Sequence, residues 1–370
     1  MSESTALIPQ MLIPVLPSLD AIRPFIETID GNNIYSNDGP LNRRLCSELA
    51  QYVAQRLIKT VPLSATTVTN GTVAIELALR ARAGRSSPYV MLPAYTFIAT
   101  AHAVKNVGFK PLFIDVDPVS LTVTPSIAHT AMRSHGKPAA LVVVSPFGGA
   151  VDVECWEQFE AETGVPVIFD LAAGITAIRH VSKQPICISL HATKMIGSGE
   201  GGAVLSADAD LVSRIKQMAS FGFKANSRIS EVPGGNYRIS EYAAAVGLAS
   251  LQSVGNRMSL LFDKARLYKR CLSGSEVQYQ PGFGEDWVAM TMNVILKAER
   301  IQPTLEAFDA HGIPWRRWWS HGCHTHPAFA DAAHSQLTYT DMVAHRTIGI
   351  PFHVKLTEEQ IEFVGQIIKG

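Results

Sequence analysis

Seven short apolar runs between residues 60 and 206 constrain the fold of this chain more than any other feature. They lie at residues 66–69, 89–92, 111–115, 139–145, 166–170, 186–190 and 203–206. Between several of them apolar residues recur at spacings of three and four, as at Val73, Leu77 and Ala81, which predicts amphipathic helices. The runs are continuously apolar instead of alternating, so we expect strands buried on both faces. The sequence therefore predicts an α/β fold with a mainly parallel central sheet covered by helices.

The size and charge balance of the chain narrow its organisation and its partners. Its 370 residues suffice for two domains. We expect a large α/β domain over residues 1–250 and a smaller C-terminal α+β domain over residues 251–370, onto which the N-terminal segment can pack. The formal net charge is zero, so we expect no nucleic acid partner, and no apolar run approaches the ~18 residues that a membrane span requires. Five scattered cysteines without CxxC spacing indicate a reduced, cytoplasmic protein.

Lys194 is the strongest candidate for a chemical role. It follows the apolar run at residues 186–190 and precedes a glycine-rich turn at residues 197–202, after which a further apolar run begins. A lysine becomes a nucleophile when burial or nearby positive charge keeps its amine neutral. The plain alternative is a solvated loop lysine, which is where most lysines lie. Because ligands of parallel sheets bind at the carboxyl ends of the strands, this position is a candidate site.

Other residues complete the set of groups that a pyridoxal phosphate site requires. Asp170 ends an apolar run, Asn70-Gly71-Thr72 opens a helical segment, and Phe97 follows the strand predicted at residues 89–92. The cofactor needs an imine-forming lysine, a carboxylate at its pyridine nitrogen, a phosphate cradle and a ring stacker. A charge pair about 4 Å apart at an effective dielectric of about 20 is worth about 4 kcal/mol, enough to keep that nitrogen protonated. The ordinary alternatives are helix caps for Asp170 and Asn70 and a core aromatic for Phe97.

The order of short motifs along the chain resembles the sugar aminotransferases of the DegT/StrS type, which are fold type I pyridoxal-phosphate enzymes related to aspartate aminotransferase. The matching segments cover nearly the whole chain. They are NDGP at 37–40, NGT at 70–72, PAYTFIAT at 93–100, FIDVDP at 113–118, SLHATK at 189–194, GEGGAV at 199–204, GGNYRISEYAAAVGLASL at 234–251 and IPFHVKLTEEQIEFV at 350–364. Each motif is weak alone, and in this order they are specific.

The resemblance implies pyridoxal 5'-phosphate as cofactor, with Lys194 and Asp170 as catalytic residues. In that family the lysine forms the imine with the cofactor, and the aspartate pairs with the pyridine nitrogen. The implied cofactor-binding residues are Asn70, Gly71, Thr72, Phe97, Asp170, Ser189, Lys194 and Asn236, the last reaching the neighbouring subunit's phosphate. A homodimer with shared active sites is therefore implied.

The reaction implied by the resemblance moves an amino group from an amino acid, with L-glutamate as the expected donor, to a nucleotide-linked keto-(deoxy)sugar through a Lys194 aldimine. Two alternatives stay open: a pyridoxal-phosphate aminotransferase with a non-sugar substrate, and a non-catalytic regulator that binds the cofactor or a nucleotide sugar. The second rests on Ala173, which stands where the family usually has Gln or His. The basic and aromatic residues at 316–319 either line a nucleotide-sugar pocket or form a surface or interface cluster.

Two further patterns imitate other functional sites. The glycines of residues 197–202 satisfy GxGxxG spacing, but an apolar strand-like run follows them, whereas a dinucleotide fingerprint opens a helix. The histidines and cysteine of residues 321–326 have no second ligand pair elsewhere in the sequence, so we expect no metal site.

Overall fold

The computed structural model describes residue 8, residues 10–224 and residues 227–370. The helices in this part of the chain are α1 (Leu19–Asn32), α2 (Pro40–Ala54), α3 (Gly71–Arg82), α4 (Ile98–Asn106), α5 (Pro125–His135), α6 (Val153–Thr163), α7 (Ala209–Ala219), α8 (Glu241–Gln252), α9 (Val254–Cys271), α10 (Ala298–Ala310), α11 (Thr338–Arg346) and α12 (Glu358–Lys369). The strands are β1 (Ser64–Val68), β2 (Tyr89–Pro93), β3 (Lys110–Ile114), β4 (Ala140–Val144), β5 (Val167–Asp170), β6 (Ile186–Ser189), β7 (Gly202–Ser206), β8 (Met292–Ile295), β9 (Ala333–His334) and β10 (Thr347–Ile350).

Eight strands form one sheet in the order β1-β7-β6-β5-β4-β2-β3-β9. Adjacent strands in this sheet run parallel, except that β7 runs antiparallel to both β1 and β6. All seven strands that the apolar runs predict are present, with ends that differ by at most two residues. The prediction of an α/β fold with a mainly parallel sheet is confirmed.

The central strands are buried on both faces, as their unbroken apolar sequences predict. In β4, Leu141 and Val143 join one buried cluster, while Val142 and Val144 join a second cluster on the opposite face. Because successive side chains of a strand point to opposite faces, this division requires apolar residues at every position. Burial of each such side chain contributes about 1.5–3 kcal/mol to folding.

The C-terminal part of the chain contains a second, smaller sheet. Strands β8 and β10 pair antiparallel in a sheet of their own, while β9 joins the edge of the large sheet beside β3. Two consecutive helices, α8 and α9, meet at Ser253. The N-terminal segment reaches this region, since the Phe352 N–H donates to the Met11 carbonyl at 2.9 Å. None of the helices in the described ranges is both long and apolar enough to cross a membrane.

The start of α2 is bound by a carboxylate from α8. The N–H groups of Leu41 and Asn42 donate to the two carboxylate oxygens of Glu241 at 2.8 and 2.9 Å. Glu241 is fully buried, and the residue before the helix, Gly39, has no side chain to cap it. A Cβ atom at Gly39 would lie 2.7 and 2.8 Å from those oxygens, so glycine is required for the close approach. A residue about 200 positions away thus takes the role that an N-cap side chain usually has.

Candidate active site

A cavity of about 440 Å³ opens at the carboxyl ends of β4, β5 and β6. Parallel strands place the residues that follow them at one edge of the sheet, so segments distant in sequence meet there. Its lining contains Asn70, Gly71, Thr72, Phe97, Asp170, Ser189 and Lys194, together with Ala172, Ala173, Trp318 and Trp319. Of the predicted site residues, Asn236 does not line it.

Asp170 is the last residue of β5 and is 5% exposed. One carboxylate oxygen accepts the Thr100 hydroxyl at 2.7 Å, and the other accepts the Ala172 N–H at 3.1 Å. Burial raises the pKa of Asp170, while these two hydrogen bonds and the positive charge of Lys194 oppose that rise. A turn follows Asp170, so the alternative that it caps a helix is wrong.

Lys194 lies in the hairpin that joins β6 to antiparallel β7. The Lys194 N–H donates to the His191 carbonyl at 2.8 Å, and the Ser198 N–H closes the loop on the Leu190 carbonyl at 2.7 Å. Burial lowers the pKa of Lys194, and the Asp170 charge opposes that shift. Its side chain is only partly exposed and lines the cavity, so the alternative of a solvated loop lysine is wrong. The hairpin also explains the GxGxxG spacing of residues 197–202, because its glycines lead into a strand.

The start of α3 fits a phosphate. The Asn70 side chain caps the helix by accepting the Val73 N–H at 2.9 Å, so the capping alternative holds for this side chain. The N–H groups of Gly71 and Thr72 donate to no group within the described residues. A Cβ atom at Gly71 would lie 3.1 Å from the Ser189 Cβ, which would narrow the space between them. Free N–H groups at the positive end of a helix dipole favour an anion.

Phe97 precedes α4, and its side chain lines the cavity while remaining 57% exposed. The alternative that it is a core aromatic is therefore wrong. An exposed ring at the wall of a cavity is suited to stacking on a flat ligand ring. Ala173 lines the same cavity and presents only a methyl group to it.

The basic and aromatic residues at 316–319 divide between two roles. Arg317 donates to the Ala344 carbonyl at 3.0 Å and so binds the last turn of α11. Trp318 and Trp319 line the cavity, and the guanidinium carbon of Arg316 lies 5.0 Å from the Trp318 ring centroid. Arg316 is exposed, and its side chain has no ion pair or hydrogen bond with any described residue. The guanidinium of Arg316 is thus unpaired beside a tryptophan that lines the cavity, while Arg317 is structural.

Two side chains within residues 321–326, those of Cys323 and His324, make local contacts. The Cys323 thiol donates to the Thr96 carbonyl at 3.3 Å, and burial raises its pKa to about 12. The Nε2 atom of His324 lies 3.2 Å from a carboxylate oxygen of Asp341.

Asn236 is exposed, and its side-chain oxygen accepts a hydrogen bond from the Arg238 guanidinium at 2.7 Å.

Sequence reasoning did not identify Thr100 as the hydrogen-bond partner of Asp170. The segment PAYTFIAT at residues 93–100 contains a pattern that could have indicated this role: two threonines, Thr96 and Thr100, lie four positions apart at the start of a helix. Residues at that spacing lie on one helix face.

Comparisons with known proteins agree with this geometry. Residues 20–369 match the model of the DegT/DnrJ/EryC1/StrS aminotransferase family. The chain is 28% identical over 346 residues to Protein Rv3402c of Mycobacterium tuberculosis (strain ATCC 25618 / H37Rv), covering 89% of this chain and 82% of that protein. It is 25% identical to GDP-perosamine synthase of Vibrio cholerae over 97% and 99% of the two chains. A crystal structure of DesI with its TDP-sugar product has a TM-score of 0.85 and 25% identity, covering 98% and 93% of the chains.

Proposed function

The chain belongs to the DegT/DnrJ/EryC1/StrS aminotransferase family, and from that premise we propose that it transfers the amino group of L-glutamate to a nucleotide-linked keto-(deoxy)sugar. It is a pyridoxal-phosphate-dependent aminotransferase. The observation that supports the proposal most is the meeting of Lys194, Asp170 and the open start of α3 in one cavity.

The residues of the cavity fit pyridoxal phosphate. The N–H groups of Gly71 and Thr72 and the hydroxyl of Ser189 would bind the phosphate, and Phe97 would stack on the ring. Asp170 would hold a proton on the pyridine nitrogen. When bound, the cofactor supplies the carbonyl that the lysine attacks and an electron sink for the substrate carbanion.

Lys194 is suited to move the proton of the reaction. Burial lowers its pKa, so more of the amine is neutral and able to act as nucleophile and base. Its Nζ atom would take the proton from the α-carbon of the amino donor as a base, and would then deliver it as an acid to the carbon of the former cofactor carbonyl. The buried Asp170 carboxylate, with a hydrogen bond on each oxygen, remains fixed throughout.

The proposal of a sugar substrate rests on the relatives and on the Arg316 side chain beside the cavity wall. GDP-perosamine synthase is named for a product linked to a nucleotide, and the structure of DesI was obtained with its TDP-sugar product. The free guanidinium of Arg316 beside the Trp318 ring is suited to pair with a diphosphate and to stack on a base. We therefore propose that the nucleotide part of the substrate binds beside Arg316 and Trp318.

The amino-donor half of the reaction is tested by adding L-glutamate to the protein loaded with pyridoxal phosphate. We expect the visible absorption band of the bound cofactor to fade and 2-oxoglutarate to form in proportion to it. Lys194→Ala should do neither, while Lys59→Ala, which removes an exposed lysine, should behave as the wild type. A band that only another amino acid changes would overturn glutamate as donor. A band that no amino acid changes would overturn the reaction.

The sugar half is tested by calorimetric titration with GDP, UDP and dTDP. We expect one of them to bind the wild type, and Arg316→Ala to weaken that binding by about tenfold or more, because a charged hydrogen-bonded pair is lost. Arg80→Ala removes an exposed arginine from α3 and should leave binding unchanged. Turnover of glutamate without binding of any nucleotide would point to a non-sugar substrate.

We further propose a homodimer with shared active sites. Asn236 is exposed and lies outside the cavity of its own chain, which leaves it free to reach the phosphate of a second protomer. Tyr35 and Tyr242 stack with ring centroids 6.3 Å apart, and both are exposed. Two exposed aromatic side chains at one place on the surface favour an interface with the second protomer there. Mixing the inactive variants Lys194→Ala and Asn236→Ala should restore activity, since one heterodimer site would be intact. Failure to complement would argue against sharing.

We retain two other expectations as proposals. The first is a division into residues 1–250 and 251–370, with the boundary in the last turn of α8, which limited proteolysis would test. The second is a cytoplasmic location, supported by the absence of any disulfide among the five cysteines, all of which are described and free. Fractionation of the producing cells would test it.

A further inference from the structure

We propose that Thr100, supported by Thr96, is a positioning residue that keeps the Asp170 carboxylate ionised and aimed at the pyridine nitrogen of the cofactor. The inference rests on the cofactor assignment above but not on the identity of either substrate. It concerns the two hydroxyl groups that lead to the Asp170 carboxylate, those of Thr96 and Thr100.

The three side chains form a continuous hydrogen-bonded chain shielded from water. The Thr96 and Thr100 hydroxyl oxygens lie 3.0 Å apart, and the Thr100 hydroxyl lies 2.7 Å from the carboxylate of Asp170. Thr96 is 1% exposed, and Thr100 is fully buried. With so little access for solvent, the strength of these bonds is not diluted by competition with water.

The chemistry of the groups fixes the direction of the chain. An ionised carboxylate only accepts hydrogen bonds, so the single hydroxyl proton of Thr100 is directed to Asp170. Thr100 then has only acceptor capacity left, and the bond between the two threonines must be donated by Thr96. Both protons therefore point toward the carboxylate, which favours its charged form. If Asp170 were protonated on that oxygen and donated to Thr100, the bond between these two residues would have to reverse.

No other described group replaces Thr100 at this carboxylate oxygen. The Ala172 N–H binds the other oxygen, at 3.1 Å. Cys187 lies opposite Asp170 in the register of β5 and β6. Burial raises the pKa of its thiol, so the thiol stays neutral. Loss of the Thr100 hydroxyl would thus leave one side of a buried carboxylate without a donor, which favours the protonated form.

The start of α4 holds both hydroxyls in place. Thr96 precedes the helix and Thr100 lies in its first turn, where its N–H donates to the Phe97 carbonyl at 3.1 Å. Thr96 is held in turn by the Cys323 thiol, which donates to its carbonyl at 3.3 Å. One short segment therefore carries both the predicted ring stacker and the support for the carboxylate.

The test compares the affinity of the cofactor-free protein for two compounds: pyridoxal phosphate and its analogue with the ring nitrogen replaced by carbon. We define the ratio as the dissociation constant of the analogue divided by that of pyridoxal phosphate. This ratio isolates the contact between Asp170 and the ring nitrogen. We expect Thr100→Val to lower this ratio by about tenfold, because a hydrogen bond to a charged group is lost. Thr100→Ser, which keeps the hydroxyl, should restore the wild-type ratio, and Thr96→Val should lower it less than Thr100→Val.

A purely structural role for Thr100 predicts a different result, in which both compounds bind more weakly and their ratio stays constant. That result would overturn the proposal. Thr304→Val is the matched control, since Thr304 is 2% exposed and its hydroxyl has no partner among the described residues. If Thr100→Val does not fold, Thr100→Cys supplies a weak donor of similar size, and an unchanged ratio there overturns the proposal equally. Failure of the wild type to bind pyridoxal phosphate would instead overturn the cofactor assignment, and this proposal with it.

Discussion

Replacing Glu241 by glutamine is expected to lower the free energy of unfolding by about 2–3 kcal/mol. The carboxylate accepts two N–H groups from the start of α2, at 2.8 and 2.9 Å, and is fully buried. A glutamine oxygen can accept one of them, but its NH₂ group then faces the other N–H as a second donor. The change also removes the negative charge at the positive end of a helix dipole. A smaller desolvation penalty for the neutral amide offsets part of this loss.

Urea-induced unfolding of the cofactor-free protein, followed by circular dichroism at one fixed protein concentration, measures the effect. The fixed concentration matters because a dimer would couple stability to assembly. Glu306→Gln is the control: this exposed glutamate of α10 accepts one hydrogen bond from Gln302, and its replacement should change stability by less than about 0.5 kcal/mol. If Glu241→Gln were as mild as the control, the buried carboxylate would not be what holds the start of α2.

Three further changes test other parts of the structure. Ser189→Ala should weaken pyridoxal phosphate binding by about tenfold, measured by fluorescence titration, because a hydrogen bond to a charged phosphate is lost. Gly202→Ala would place a Cβ atom 2.8 Å from the Gly71 nitrogen, so we expect about 1–3 kcal/mol lower stability in urea and weaker cofactor binding. Burial lowers the pKa of His324 below its ordinary value of 6.5, so the unfolded state takes up this proton first and stability falls as the pH drops below 6.5. His324→Phe lacks this proton uptake and should lose less stability than the wild type between pH 7 and pH 5 in urea titrations; an equal loss would contradict the assignment.

The sequence predicted the central sheet because its strands are buried on both faces and therefore consist of unbroken apolar runs. In β4 every residue is needed by one of two clusters, and no polar residue interrupts the pattern. The antiparallel direction of β7 was not predicted, since a run such as residues 203–206 is equally apolar in either direction. Strand direction depends on the length of the connection, and the twelve residues between β6 and β7 fold back as a hairpin.

The candidate site was predicted where a residue's chemistry is distinctive, as for Lys194 and Asp170. Thr100 and Glu241 were not predicted, because their roles depend on partners far away in sequence. Glu241 contacts a helix about 200 positions earlier, and Thr100 contacts a strand end 70 positions later. Burial alone gives a threonine or a glutamate no distinctive local pattern, so only the assembled fold reveals such contacts.

The place of β1 in the sheet has a consequence for how the protein is made on the ribosome. β1 lies at the edge of the sheet and pairs with β7, whose residues 202–206 are translated long after residues 64–68. The helix that follows β1 begins with Gly71 and Thr72, the groups proposed to bind the phosphate. A nascent chain that lacks residues 202–206 therefore has no strand to pair with β1, and we expect the cradle to form only after β7 has left the exit tunnel. Cofactor capture should accordingly be a late event of biosynthesis, and ribosome-bound chains arrested before β7 should not retain pyridoxal phosphate.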